Sequence, residues 1–194
     1  MARCIGVLAL QGDFREHALS LERCGASVRE IRTLQDLDGV DGLVLPGGES
    51  TVMGRLLTEE GLMEPVRALC RSGMPVLGTC AGMILLAKTL PEFPDQPRIG
   101  CLDISVVRNA FGRQTDSFST ELAVSGFGGD EKGQRTVQAV FIRAPIVQDT
   151  GEGVEVLSCF EGRPVAVRQK NILALAFHPE LTPELCFHRW LLEQ

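Results

Sequence analysis

The chain has 194 residues and a formal net charge of −6 at pH 7. This length suffices to bury the core of one α/β domain, and we expect residues 1–194 to form a single domain. The acidic balance argues against nucleic acid or an anionic membrane as the principal partner, and no apolar run is long enough to span a bilayer.

Strands alternate with amphipathic helices in the first half of the chain. Apolar runs at 5–10, 43–45 and 76–77 are flanked by such helices, which predicts a parallel sheet with helices on both faces. The second half is richer in strands, with runs at 154–157, 164–167 and 172–177. A glycine-rich loop is predicted at 126–134, and the last helix is expected to begin at Thr182, as its cap, with Pro183 in the first turn.

Two of the histidines are not expected to act as catalytic bases. His17 lies in the amphipathic segment 13–19, directly after the first strand, and His188 lies in the last helix. Each is predicted to lie at a helix surface or an interface. The assignment is more open for His17, because the first strand-to-helix turn often lines sites in open parallel sheets.

A glycine turn follows the apolar strand at 42–46. Gly47 and Gly48 precede Glu49, Ser50 and Thr51, and a helix is expected to start near residue 52 with Ser50 or Thr51 as its cap. Backbone N–H groups of such a turn can bind a developing oxyanion. A plain strand-to-helix turn remains the alternative, and phosphate binding is disfavoured because no lysine follows the glycines.

A cysteine occupies the next strand-to-helix turn. The segment 78–82 reads Gly-Thr-Cys-Ala-Gly and follows the apolar run 74–77, which is the cysteine version of a nucleophile elbow. The flanking glycines are expected to permit the sharp backbone and to leave room for a substrate. Cys80 lies at a helix N-terminus, which favours the thiolate, and the Ala81 N–H is the natural second oxyanion donor. A buried structural cysteine is the alternative.

A partner for this thiol is predicted at the end of the strand 172–177. His178 precedes Pro179 and Glu180, and proline favours an extended residue before it. Residues two apart in an extended chain project to the same side, so Glu180 can hold the imidazole while its other nitrogen faces Cys80. The arrangement predicts a nucleophile, a base and an orienting carboxylate. Two solvated polar residues at a strand end are the alternative.

The remaining polar residues add little on their own. Arg108 and Arg143 each lie beside a strand-like run, where a guanidinium is suited to bind a carboxylate, although exposed arginines at strand ends are common. The seven cysteines are scattered and odd in number, which favours reduced thiols in a cytoplasmic protein. No Cys-x-x-Cys or histidine-rich spacing indicates a metal site.

Six blocks of sequence together resemble the class I, triad-type glutamine amidotransferases. Within that class the chain is similar to the glutaminase-subunit family of the two-component pyridoxal 5'-phosphate synthase, and the resemblance extends over nearly the whole chain. The blocks are 7–12 (Val-Leu-Ala-Leu-Gln-Gly) with Arg15-Glu16-His17, 46–51 (Pro-Gly-Gly-Glu-Ser-Thr), 78–82 (Gly-Thr-Cys-Ala-Gly), 108–114 (Arg-Asn-Ala-Phe-Gly-Arg-Gln), 141–145 (Phe-Ile-Arg-Ala-Pro) and 177–182 (Phe-His-Pro-Glu-Leu-Thr).

The resemblance implies a flavodoxin-like, three-layer α/β fold and the hydrolysis of L-glutamine. It implies Cys80 as nucleophile, His178 as general base and acid, and Glu180 as orienter. The residues implied to contact glutamine are Gly47, Gly48, Glu49, Arg108, Ile142 and Arg143, with the oxyanion at Gly47, Gly48 and Ala81.

The resemblance also implies a partner and no cofactor of the chain's own. Ammonia would pass to the barrel-shaped synthase subunit, PdxS, in a large hetero-oligomer. Two alternatives remain: a glutaminase subunit of another synthase, such as imidazole glycerol phosphate synthase, or an inactive regulatory subunit. Asp13 departs from the family pattern, in which a small residue is common, and is expected to alter only the neighbouring contact surface.

Overall fold

The computed structural model describes residues 2–108, 117–131 and 133–194. Its helices and strands follow one another closely along the chain. In chain order they are β1 (Cys4–Leu8), α1 (Phe14–Arg23), β2 (Ser27–Ile31), β3 (Gly42–Leu45), α2 (Ser50–Glu59), α3 (Met63–Arg71), β4 (Val76–Thr79), α4 (Ala81–Leu86), β5 (Ala87–Thr89), β6 (Leu102–Val107), β7 (Ser117–Ser125), β8 (Gln134–Ile142), β9 (Ile146–Thr150), β10 (Glu155–Phe160), β11 (Arg163–Gln169), β12 (Ile172–Leu175) and α5 (Cys186–Glu193), with short 3-10 helices at Leu34–Leu37 and Pro179–Leu181.

A seven-stranded sheet in the order β10-β11-β12-β4-β3-β1-β2 forms the centre of the fold. The five strands from β12 to β2 are parallel, and β10 and β11 extend one edge in antiparallel fashion. Strands β3, β4 and β12 are buried along their whole length, as expected where helices cover both faces of a parallel sheet. The predicted α/β fold with a mostly parallel central sheet is confirmed.

Two smaller β-structures complete the second half of the chain. Strands β5, β6 and β9 form a three-stranded sheet, and β7 pairs with β8 in a long hairpin. The glycine-rich segment predicted at 126–134 connects the two strands of this hairpin. Within the described residues no helix is long and apolar enough to cross a bilayer.

The structure corrects the predicted start of the last helix. Thr182 closes the 3-10 turn instead, since its hydroxyl donates to the carbonyl of Pro179 at 2.9 Å. Helix α5 begins at Cys186, because the carboxylate of Glu184 accepts the N–H groups of Leu185 and Cys186, both at 2.9 Å. An acidic side chain is well placed at such an N-terminus, where it satisfies free donors and complements the helix dipole.

Candidate active site

A cleft of about 310 Å³ opens where the carboxyl ends of the parallel strands meet. Ligands of open α/β sheets bind in this position. The cleft brings together residues from several separate segments of the chain: Gln11, Asp13, Gly48, Glu49, Ser50, Cys80, Ile84, Arg108, Ile142, Arg143 and His178. Seven of the predicted site residues are therefore neighbours, while Gly47, Ala81 and Glu180 lie within two residues of this lining in the chain.

Cys80 occupies a strained turn between β4 and α4. Its backbone has φ 46° and ψ −101°, and its side chain is buried, with 6% of the residue exposed. A positive φ is uncommon outside glycine and costs roughly 1–3 kcal/mol, which the surrounding structure must offset. Strain of this kind concentrates at functional turns and supports the elbow interpretation.

The glycines beside Cys80 serve packing, which differs from the role predicted for them. A Cβ on Gly78 would lie 2.5 Å from a methyl carbon of Leu86, and one on Gly82 would lie 2.0 Å from the carbonyl oxygen of Leu45. Both glycines therefore let α4 approach β4 and β3 closely. The backbone strain itself falls on Cys80.

His178 and Glu180 are hydrogen-bonded, as their spacing predicted. The His178 Nδ1 to Glu180 Oε1 distance is 2.7 Å, and both side chains are buried. The local geometry differs from the prediction, because β12 ends at Leu175 and Glu180 lies in the 3-10 turn Pro179–Leu181. That turn brings the carboxylate back to the ring, and the other ring nitrogen, Nε2, remains available.

Burial and charge oppose each other at this pair. Burial lowers the pKa of His178, but the interactions of the ring with Cys80 and Glu180 outweigh it and raise the pKa to about 10. Burial raises the pKa of Glu180 more than the hydrogen bond and the charge of His178 lower it. The 2.7 Å separation is typical of a charge-assisted hydrogen bond, so we describe the pair as an imidazolium and a carboxylate.

His17 lies beside Glu180 in the interior of the protein, whereas the sequence analysis placed it at a helix surface or an interface. His17 and His188 are both fully buried, and their Nδ1 and Nε2 atoms lie 3.0 Å apart. His17 Nε2 lies 3.0 Å from Thr79 Oγ1 and 3.3 Å from Glu180 Oε2. Burial, with the neighbouring histidines, lowers the pKa of His17 well below its usual value, so the ring is neutral.

The contacts of His17 join helices α1 and α5 to the site. Its Nε2 pairs with the Thr79 hydroxyl, which can donate or accept, and its Nδ1 pairs with His188. Among the described residues Glu180 Oε2 has no hydrogen-bond partner, and His17 Nε2 lies 3.3 Å from it.

The glycine turn makes hydrogen bonds with Gln11 and Asp13 that the sequence analysis did not predict. Gln11 Oε1 accepts the Glu49 N–H at 2.8 Å, and the Asp13 N–H donates to the Gly47 carbonyl at 3.1 Å. A Cβ on Gly47 would lie 2.3 Å from His178 Cε1. The turn therefore packs directly against the imidazole.

Glu49 caps helix α2, where Ser50 or Thr51 was expected to do so. Its carboxylate accepts the N–H groups of Thr51 at 3.1 Å and Val52 at 2.8 Å, and the helix begins at Ser50. Partial burial raises the pKa of Glu49, but these hydrogen bonds and the charge of Arg108 outweigh it and lower the pKa. The side chain is thus an ionised structural cap that also lines the cleft.

The two predicted arginines differ in how firmly they are held. Arg108 donates to Thr51, Gln96 and Glu49 at 3.0, 2.7 and 3.2 Å. Arg143 is exposed and has a positive φ of 43°. Next to it, the Ile142 carbonyl oxygen lies 3.8 Å from Cys80 Sγ. The block that begins at Arg108 continues through 109–114, which lie outside the described residues.

Asp13 lies beside His178, closer to the predicted chemistry than expected. Its Oδ2 lies 3.5 Å from His178 Nδ1, and Asp13, His178 and Glu180 place ligand atoms within 4.8 Å of one another. A metal would need an Nδ1 lone pair, whereas Nδ1 carries the proton that it donates to Glu180. The arrangement is that of a histidine flanked by two carboxylates.

The sequence relationships agree with this geometry. A sequence profile of the SNO glutamine amidotransferase family matches residues 7–194, which is nearly the whole chain. The chain belongs to the SNO glutamine amidotransferase family.

Relatives of the family are similar over nearly their whole length. The chain is 55% identical over 190 residues to the pyridoxal 5'-phosphate synthase subunit PdxT of Parafrankia sp. (strain EAN1pec), covering 97% of this chain and 91% of the relative. It is 50% identical over 194 residues to PdxT of Thermus thermophilus, covering 100% of this chain and 98% of that relative.

Solved structures extend the similarity to the fold. A crystal structure described as a glutamine amidotransferase superposes with a TM-score of 0.90 at 48% identity, covering 97% of each chain. PurLQS from Thermotoga maritima superposes with a TM-score of 0.70 at 17% identity, covering 99% of this chain and 97% of that one. The second likeness concerns the fold alone.

Proposed function

We propose that this member of the SNO family hydrolyses L-glutamine to glutamate and ammonia, as the glutaminase subunit of a pyridoxal 5'-phosphate synthase. One observation carries the proposal. Cys80, at a strained elbow, shares a cleft with His178, whose Nδ1 is 2.7 Å from Glu180. The names of the relatives support the synthase, because each is a pyridoxal 5'-phosphate synthase subunit.

In the proposed reaction Cys80 attacks as a thiolate. The sulfur adds to the side-chain amide carbon of glutamine, and His178, protonated at Nε2, gives its proton to the departing ammonia. The product is a γ-glutamyl thioester on Cys80. His178 is then neutral, takes a proton from water, and the resulting hydroxide releases glutamate. Glu180 keeps the ring oriented through Nδ1 and stabilises its positive charge.

The oxyanion and the substrate are assigned to the rim of the same cleft. We propose that the N–H groups of Ala81 and of the Gly47-Gly48 turn bind the oxyanion, where each well-placed donor is worth about two to three orders of magnitude in turnover. We propose that Gly47, Gly48 and Glu49 contact glutamine, with Arg108, Ile142 and Arg143 completing the pocket. Arg143 is exposed, and its guanidinium takes part in none of the described ion pairs. We therefore assign the substrate carboxylate to Arg143 and not to Arg108.

The proposal extends to the setting of the reaction. Residues 1–194 act as one glutaminase domain, in the cytoplasm, and the ammonia passes to a synthase subunit that uses it. The synthase subunit, and not this chain, binds the sugar-phosphate substrates. This chain needs no metal or organic cofactor for the steps above, since sulfur, imidazole and backbone donors carry them.

The direct test measures glutamate release from L-glutamine by the purified chain mixed with a candidate synthase subunit. We expect Cys80→Ser and Cys80→Ala to abolish release while the chain remains folded and still co-purifies, because loss of the thiol removes the nucleophile. A glutamine analogue with an electrophilic side chain should label Cys80 alone among the seven cysteines. A label on Cys101 or Cys159 would contradict the assignment.

A further inference from the structure

A second cavity, of about 360 Å³, lies beside the start of strand β12, whereas the proposed active site lies beyond the end of that strand. Asn171 and Ile172, at the start of β12, line it, whereas His178 follows the end of that strand. Two cysteines, Cys70 and Cys101, form part of its wall. The proposed glutaminase reaction uses neither of them.

The backbone around the two cysteines places their sulfur atoms together. Cys70 lies in the last turn of α3, and Cys101 Sγ lies 3.7 Å from the carbonyl oxygen of Arg67, three residues earlier on the same helix. Residues three apart share a helix face, and helical side chains lean toward the N-terminus. The Cys70 side chain therefore points to the turn that Cys101 contacts, and both residues line the same cavity.

Both cysteines are held by polar contacts of neighbouring side chains. Arg67 donates through Nε to the Ile99 carbonyl at 2.8 Å and through a terminal nitrogen to the Arg98 carbonyl at 2.8 Å. Asn171 donates to the Cys70 carbonyl at 3.0 Å. The arginine bonds tie α3 to the segment that carries Cys101, and the asparagine bond ties it to the start of β12.

The two thiols have unequal surroundings. The neighbouring Cys70 thiol and the charges of Arg71 and Arg67 lower the pKa of Cys101, although partial burial acts against them. The neighbouring Cys101 thiol and burial raise the pKa of Cys70. Cys70 is 2% exposed, while Cys101 is partly exposed in the cavity. Arg71 and Lys170 add positive charge to the cavity wall, where Lys88 is paired with Asp103 at 2.9 Å.

We propose that Cys101 and Cys70 form a redox-active dithiol site that takes hydroperoxides, with Cys101 as the attacking thiolate and Cys70 as the resolving thiol. Reactive cysteines of this kind are found in electropositive, partly exposed surroundings next to a second thiol. The cavity admits a small peroxide to Cys101, and Cys70 lies directly behind it.

The proposed chemistry has two steps. The Cys101 thiolate attacks one oxygen of hydrogen peroxide, the O–O bond breaks, and the hydroxide that leaves takes a proton to become water. Cys101 is then a sulfenic acid. The Cys70 sulfur attacks the Cys101 sulfur, the S–O bond breaks, and a second water leaves. In total, two thiols are oxidised to one disulfide while peroxide is reduced to two waters.

The test exposes the reduced full-length chain to about one equivalent of hydrogen peroxide, and then blocks free thiols and maps the peptides by mass spectrometry. We expect a Cys70–Cys101 disulfide and an intact mass lower by two hydrogens. Cys159, an exposed thiol on β10, is the internal control. Because its charged neighbours lower the pKa of Cys101, Cys101 should be oxidised ahead of Cys159.

Two variants separate the proposed roles, and thermal unfolding shows that each is folded. In Cys70→Ser, we expect a sulfenic acid on Cys101 that a dimedone probe captures. In Cys101→Ser, Cys70 should stay reduced. Oxidation of Cys159 ahead of Cys101 in the unaltered chain would overturn the proposal, as would sulfinic acid on Cys101 with Cys70 still reduced. The mapping of the unaltered chain decides the matter even if a variant does not fold.

Discussion

Gly47 packs against the imidazole of His178, so a single methyl group at this position tests whether the placement of the ring controls turnover. In Gly47→Ala the new Cβ would lie 2.3 Å from Cε1 and 2.9 Å from Nδ1. Carbon atoms in contact need about 3.5 Å, so the ring must move by about 1 Å. That movement stretches the 2.7 Å hydrogen bond to Glu180, and a misplacement of this size costs about 100-fold in rate.

The assay is steady-state glutamate release at saturating glutamine with the synthase subunit present. We expect kcat to fall about 100-fold, with a loss of about 1–3 kcal/mol in stability from overpacking. Gly47 lies outside the left-handed region, so alanine adds a clash without backbone strain. Gly61→Ala is the control for lost stability, because a Cβ there meets no atom within 4 Å but the φ of 69° strains an alanine. A Gly47→Ala enzyme with a kcat within threefold of the unaltered chain would refute the idea that the placement of the ring controls turnover.

Three further predictions concern the same site. Glu180→Gln should lower kcat less than His178→Asn, because Asp13 lies 3.5 Å from His178 Nδ1 and still orients the ring, whereas loss of the base removes roughly two to four orders of magnitude; equal, modest losses would point to another base. In the folded chain the pKa of His178 is about 10, against a usual 6.5. The stabilisation that the protonated imidazole provides is therefore complete below pH 6.5 and is lost as the pH rises toward 10. In urea unfolding, the unaltered chain should have a larger free energy of unfolding than His178→Asn, and this difference should fall by up to about 1.4 kcal/mol per pH unit in that window. A difference that stays constant would contradict the raised pKa. Turning the Gly47–Gly48 peptide away costs the 3.1 Å hydrogen bond from the Asp13 N–H, but glycine permits the new backbone angles. We therefore expect the chain without its synthase to be slower by about two to three orders of magnitude; equal rates with and without the synthase would show that the turn is already in place.

The sequence predicted the parts of the site that depend on local spacing. The elbow at Cys80 and the pairing of His178 with Glu180 follow from neighbouring residues, and the parallel sheet follows from apolar runs between amphipathic helices. Strand β2 was missed, since Ser27–Ile31 lies at an edge of the sheet and has no continuous apolar run: Val28 and Ile31 are separated by Arg29 and Glu30. The true start of α5 depends on Glu184, whose capping role is not evident from a pattern that also offers Thr182 and Pro183.

Contacts between distant segments account for the rest of what was missed. His17 looks like an ordinary residue of an amphipathic helix, and only the folded chain brings it to Thr79, Glu180 and His188. Asp13 was assigned to a contact surface because sequence alone does not reveal that the first turn meets the ring of His178. In both cases a polar side chain on a helix or a turn has its partner in a segment that the chain reaches much later.

The position of β12 between β4 and β11 has a consequence for the order in which the protein becomes active. Val76 pairs with Ile172 across about half of the chain, so one side of β4 stays open during synthesis until β12 has left the ribosome. Cys80 is made early, whereas His178 and Glu180 are made roughly 100 residues later. A nascent chain therefore carries its proposed nucleophile long before its proposed base, and the proposed reaction must wait until β12 and the turn after it have been made.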